Sequence, residues 1–425
     1  MSDAGLESRS WLNHLAFGLL LVLVFTVPFD DILAVPGFGT LSRLVGYAAI
    51  GTALGDVISR SSFRRPRGAL VWVILFSIWA GLSMTWTLSF GASTEKVLVV
   101  VRSLGMAWLL YEYLDGDARW RAVLTAFVLG GYVCVGGLLT ALRTGPLSEE
   151  LEYARYAVGD LDPNDVAATL ALGVPMAWYL AGKTRSRVIR LLSRIYLPLA
   201  GAAILLTGSR GGLMALVVAL GFVLSTLPRL SVGAKCMAVM ALVAGAAAIH
   251  FLVPDTAWTR LLTIPDELRE GTFANRTLIW RAGFKMLPDH PFGGAGVGAF
   301  KDEIFMKGGY FTPKVAHNLI LGVLFDLGIV GLALFIGVLS SLVRRLRYLH
   351  VRERRVAQFI LLTWLVAGMG LSLEYRKVTW FLIGSLTALT VRVSRGAWIF
   401  DEPDERTLAG MGQDVLEPGM DGMEG

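Results

Sequence analysis

Apolar stretches about 20 residues long recur along this chain, separated by short basic clusters, and nothing else limits its fold so tightly. A helix of about 20 apolar residues is what crosses roughly 30 Å of hydrocarbon. Runs such as 19–27 and 238–249 contain no charge at all. Only 17% of the 425 residues are charged, against roughly 25% in ordinary globular chains, and the mean hydropathy is +0.61. Composition therefore excludes a water-soluble domain and predicts an all-α polytopic membrane protein.

Twelve spans are expected, near 11–29, 39–58, 69–88, 95–114, 120–142, 164–182, 190–208, 211–227, 235–253, 318–343, 356–373 and 378–394. The basic residues then sort to one side. Arg60, Arg64, Arg65 and Arg67 share one connection, Lys183 to Arg194 a second, and Arg344 to Arg355 a third. A cytoplasmic N-terminus puts all three clusters inside, as the positive-inside rule requires. Residues 195–227 test the count, because a single helix of 33 residues would run about 50 Å. Splitting it at Ser209-Arg210-Gly211-Gly212 keeps the clusters on one side, places Arg210 at an external turn and leaves both termini cytoplasmic.

The net charge of +6 is not a nucleic-acid signal, since the bases lie in clusters between spans. Residues 1–253 read as spans one to nine, 254–316 as one large external loop containing short helices, and 317–394 as spans ten to twelve. The acidic, glycine-rich tail 395–425 reads as disordered. The first apolar run continues to Pro28 with no small-residue cleavage site, so it reads as an uncleaved span. Cys134 and Cys236 both sit in or beside spans and offer no disulfide or metal framework.

Ionisable residues at membrane depth, or where an external loop re-enters a span, are the functional candidates. Arg210, flanked by two glycines on one side, could grip phosphate oxygens with its permanently charged fork; the competing reading is an interfacial anchor. His317 opens the tenth span, where the helix dipole favours a neutral imidazole; the competing reading is a helix cap. A straight helix would align Leu321, Leu324, Gly328 and Gly331 beneath it as an apolar groove, with Asp326 on the opposite face. Arg276, Arg281 and Arg155 lie in the external loops, where solvation alone would explain them. Trp258, Phe273 and Trp280 could contact lipid or sugar, or pack within the loop. His290 reads as a turn residue. Gly294-Ala295-Gly296-Val297-Gly298 lacks the strand-turn-helix setting of a dinucleotide site. No residue set has metal-ligand spacing and no Walker-type loop is present, so no cofactor is expected.

Four short motifs, in order, carry a resemblance. They are Asp162-Pro163-Asn164; Ser209-Arg210-Gly211-Gly212; Arg276 with Ile279-Trp280 and Asp289-His290-Pro291; and His317-Asn318 followed by Gly328 and Gly331. Together, over roughly residues 150–335, they resemble the bacterial O-antigen ligase and polymerase family. The resemblance implies an inner-membrane enzyme, active at the periplasmic face, that moves a glycan from undecaprenyl diphosphate without metal or ATP. A ligase passes it to a sugar hydroxyl of lipid A–core; a polymerase passes it to another lipid-linked repeat. Carried over to this chain, His317 is the expected base, with Arg210 and Arg276 on the diphosphate. Arg281, Arg155, Asn164 and Asn318 are expected to contact substrate. A single external loop of moderate size favours the ligase. A lipid-linked glycan transporter is the alternative from another class, but no internal repeat or midplane site supports it.

Overall fold

In the computed structural model the apolar stretches form helices that end at recognisable stops. The structure describes residues 11–145 (31, 36 and 38 apart), 155–227, 276–309 and 314–393, with 232–233, 235–236 and 312 between them. The expected ninth span, Trp258, Phe273 and the acidic tail lie outside the described residues.

Helix α1 (Trp11–Thr26) ends at Pro28, and a two-residue antiparallel pairing of Ala34–Val35 with Gly39–Thr40 turns the chain into α2 (Leu41–Ser59). There follow α3 (Ala69–Leu82), α4 (Phe90–Tyr113), α5 (Asp117–Thr144), α6 (Pro163–Lys183), α7 (Arg187–Leu206) and α8 (Arg210–Thr226). The split of 195–227 thus falls at Ser209, as the length argument requires. Two short helices, α9 (Arg276–Met286) and α10 (Phe300–Lys307), precede α11 (Leu319–Arg345), α12 (Val351–Gly368) and α13 (Lys377–Val393). Among the described residues six candidate spans are long and apolar enough to cross a membrane: Trp11–Phe29, Leu41–Ser59, Asp117–Thr144, Pro163–Lys183, Arg187–Leu206 and Leu319–Tyr348.

Helix α1 packs on α2 and α5, α6 on α7 and α8, α3 on α11, α4 on α13, and α12 on α8. Short connections make successive helices antiparallel, so their ends fall into two sets. All three arginine-rich connections belong to one set. There Asp56 accepts from Asn13 at 3.2 Å and Tyr113 at 2.8 Å, Arg60 bridges Asp56 and Glu112, and Lys183 meets Glu353 at 3.5 Å. The starts of α6, α8 and α11 belong to the opposite set.

One expectation fails in α11. Gly328 has φ 67° and ψ −169°, a conformation essentially reserved for glycine, and it breaks the helix. The groove predicted beneath His317 assumed an uninterrupted 100° step, so it does not form. The break exposes backbone groups, and the segment 291–296 satisfies them. Ala295 N donates to Phe325 O (3.0 Å), Gly296 N to Asp326 O (2.9 Å) and Ile329 N to Pro291 O (2.9 Å). Trp79 Nε1 reaches Leu327 O at 3.0 Å and Trp86 Nε1 reaches Gly293 O at 3.2 Å. The glycine-rich stretch after His290 is therefore a backbone plug in a broken helix, which a membrane interior tolerates only where protein buries it.

Candidate functional site

Each of the four motifs opens a helix, and the cap residues explain why. Asp162 caps α6, accepting from Asn164 N at 2.7 Å ahead of a proline in the first turn. Ser209 Oγ caps α8 from Gly212 N at 3.1 Å. Asn318 caps α11, its Oδ1 accepting from Ile320 N and Leu321 N, both at 3.0 Å. Arg276 begins α9. Side chains of this kind are the preferred N-caps, and each helix start carries roughly half a positive charge.

Side chains tie these starts together. Arg155 donates from Nη2 to Asn164 Oδ1 at 3.0 Å and from Nε to Thr207 O at 3.3 Å, bridging α6 to the turn before α8. Asp162 attracts it and Arg210 repels it, so all three are close neighbours. A Cβ on Gly212 would collide with Ala167, so the start of α8 lies directly on α6. Arg276 reaches the α12 end, with Nη1 3.0 Å from where a Cβ on Gly370 would stand. Asp165 on α6 pairs with Arg376 just before α13.

His317 sits among them, half-buried, with a left-handed backbone (φ 47°). Such a conformation costs an ordinary residue about 1–3 kcal/mol and persists only where neighbours enforce it. Here Ser372 Oγ takes the His317 N–H at 3.1 Å, and Trp280 Nε1 holds the preceding Ala316 carbonyl at 2.8 Å. Burial lowers the imidazole pKa, and Arg276 lowers it further against the opposing pull of Asp162. The ring is thus held as a neutral base, with the Arg276 guanidinium near it.

The structure therefore gathers Arg155, Arg210 and Asn164 around Asp162, and sets Arg276 beside His317, whose ring also feels Asp162. Asn318 differs: its side chain is spent on the cap and on Met369 O at 3.3 Å, so it shapes the helix start. Arg281 points elsewhere, exposed and about 140° around α9 from Arg276. Ser372 and Arg376 carry no motif and were invisible in the sequence; Trp280, expected to contact lipid or sugar or to pack within the loop, braces His317 through the Ala316 carbonyl. Among the described residues no group of three or more His, Cys, Asp or Glu could share a metal ion. The arrangement can bind a polyanion and accept a proton beside it.

Two comparisons with known proteins bear on this site. Residues 195–336 match the family model described as O-antigen ligase, a range that holds the arginine turn, α9 and the histidine with both its glycines. The chain is also 26% identical over 323 residues to the O-antigen ligase of Pseudomonas aeruginosa, covering 73% of this chain and 74% of that protein. The resemblance read from the four motifs is to the same O-antigen ligase family that both matches support.

Proposed function

We propose that this chain is an O-antigen ligase, a glycosyltransferase that moves a glycan from undecaprenyl diphosphate to a sugar hydroxyl of lipid A–core. The observation that carries the reading is a neutral histidine with a left-handed backbone beside Arg276 and Asp162, at the end of the bundle where Arg155 ties the start of α6 to the turn before Arg210. In this reading the chain has twelve spans, both termini are cytoplasmic, and the enzyme resides in the bacterial inner membrane. The three arginine-rich connections share one end of the bundle, so the positive-inside rule directs the opposite end, with His317, to the periplasm.

The acceptor hydroxyl gives its proton to His317 as its oxygen attacks the anomeric carbon. The bond from that carbon to the diphosphate breaks, and its electron pair leaves on the diphosphate oxygen. Arg210 and Arg276, with Arg155 behind them, stabilise that growing charge. Attack opposite the leaving group inverts the anomeric centre, which linkage analysis of the product checks. Proton abstraction by a placed base is typically worth 10²–10⁴-fold, and one preorganised positive contact about 10²–10³-fold. The step draws on no metal and no nucleotide.

The test is the surface-polysaccharide profile of a deletion strain complemented with wild type or His317→Ala. Rough lipopolysaccharide with long glycan still on the carrier supports the ligase. Core bearing a single repeat would make the chain a polymerase, which shares the donor chemistry and differs in acceptor. A full ladder restored by His317→Ala at native expression would remove the histidine from the mechanism.

A further inference from the structure

Between α2, α4, α11 and the turn joining α12 to α13 lies a cavity of about 380 Å³. It opens at the same end of the bundle as His317, yet none of Arg155, Arg210 or Arg276 lines it. Its size falls within the roughly 300–1,000 Å³ of small-molecule sites, larger than a bare phosphate needs. Six basic side chains line it against three acidic ones. Two of the acids are already engaged: Asp30 pairs with Lys377 at 2.5 Å, and Asp326 accepts from Tyr375 at 2.9 Å and Phe300 N at 3.0 Å. Lys96, Arg102 and Lys301 have no carboxylate at salt-bridge distance among the described residues. The wall thus carries surplus positive charge, and too few apolar side chains to hold a lipid tail.

Two buried polar atoms in this wall lack a hydrogen-bond partner, Ser103 Oγ on α4 and Glu374 Oε2 in the turn before α13. Their residues are 1% and 3% exposed. Buried polar groups in folded proteins are nearly always paired, so orphans facing a cavity point to a missing guest. Burial above all, reinforced by Asp326, pushes the Glu374 carboxyl up to about 8. At neutral pH it holds its proton and can donate to a sugar or phosphate oxygen. The wall also includes Val315 and Ala316, directly before His317, and Ser372, which grips the His317 amide.

We propose that this cavity is the acceptor subsite and that it takes a phosphate-bearing sugar. The subsite rests on the transferase reading; the class of ligand does not. Donor diphosphate and acceptor sugar then reach His317 from two separate cationic regions, one built on α6, α8 and α9, the other on α4 and the turn before α13.

The test uses the full chain in lipid nanodiscs. Binding is measured in the His317→Ala background, where nothing turns over, with glucosamine 6-phosphate, glucosamine and inorganic phosphate as probes. Glucosamine 6-phosphate is expected to bind at least about tenfold more tightly than either of the others, as a charge-assisted contact plus sugar hydroxyl contacts would give. Lys301→Gln, at the rim, and Glu374→Leu, which removes the donor at similar volume, should each weaken it about tenfold. Equal binding of inorganic phosphate, or affinity unchanged in both variants, overturns the proposal. With His317 intact, Lys301→Gln should raise KM for lipid A–core and leave the KM of the glycan donor in place; a rise for the donor alone overturns the acceptor assignment. Should wild type transfer no glycan while the cavity variants still lose the sugar phosphate, the transferase reading falls and the phosphosugar site stands.

Discussion

Alanine at position 328 would place a Cβ under 3.0 Å from the Phe292 carbonyl and 2.7 Å from Gly293 N. Backbone cannot yield there as a side chain would. The φ and ψ of Gly328 add about 1–3 kcal/mol of strain for any other residue. Relieving the clash means lifting 291–296 out of the break, which gives up four backbone hydrogen bonds to α11 at about 0.5–1.5 kcal/mol each. Together the loss of docking is about 3–9 kcal/mol, more than a hundredfold in population at the lower figure. The undocked segment leads directly back to α9, so Arg276 moves with it. Gly328→Ala should therefore lower glycan transfer about a hundredfold or more and speed proteolysis near 290, with helical circular dichroism little changed. Gly55→Ala, on a helix with nothing within 4 Å of the added methyl, is the control and should be neutral to slightly stabilising. Transfer within about threefold of wild type, with unchanged proteolysis, would refute the backbone-plug account of α11.

Three further outcomes follow from the site. Arg210→Ala should cost about 10²–10³-fold in kcat, and retention of wild-type kcat would remove that residue from the leaving-group contacts. Burial and Arg276 hold the His317 pKa below its ordinary value, about 6.5; since a base works unprotonated, the acidic limb of kcat/KM should lie below that pH. Arg276→Ala should shift this limb upward, because the repelling charge is gone, and an unmoved limb would separate the two residues. Gly212→Val would drive α8 off Ala167 on α6 and displace Arg210; misplacement of about 1 Å can cost 10²-fold, so transfer should fall steeply, with unimpaired turnover as the contrary result.

The helix starts were legible because caps are local. Asp162-Pro163, Ser209 and Asn318 each announce their helix within a few residues, and the length limit on 195–227 forced the turn that Arg210 occupies. The meeting of those starts was not legible, since it depends on which helices pack together across more than a hundred residues. The groove expected under His317 failed because periodicity assumes continuity, and Gly328 interrupts it with a backbone that only glycine tolerates. A signal for that break was present: a second glycine-rich run, 293–298, had no use of its own until it met the break. The cavity went unseen for another reason. Lys96 and Glu374 are ionisable residues at or near span depth, the same warning that singled out Arg210, but neither belongs to a motif.

The plug at Gly328 also fixes how this chain can be cut and recombined. Segment 291–296 and the broken helix α11 share main-chain hydrogen bonds, so they form one cooperative unit rather than a lid laid over a scaffold. A chimera joined between 296 and 319 would pair one parent's plug with the other's break. Exchange of substrate preference between relatives should therefore succeed only when 290–331 travels as a single cassette.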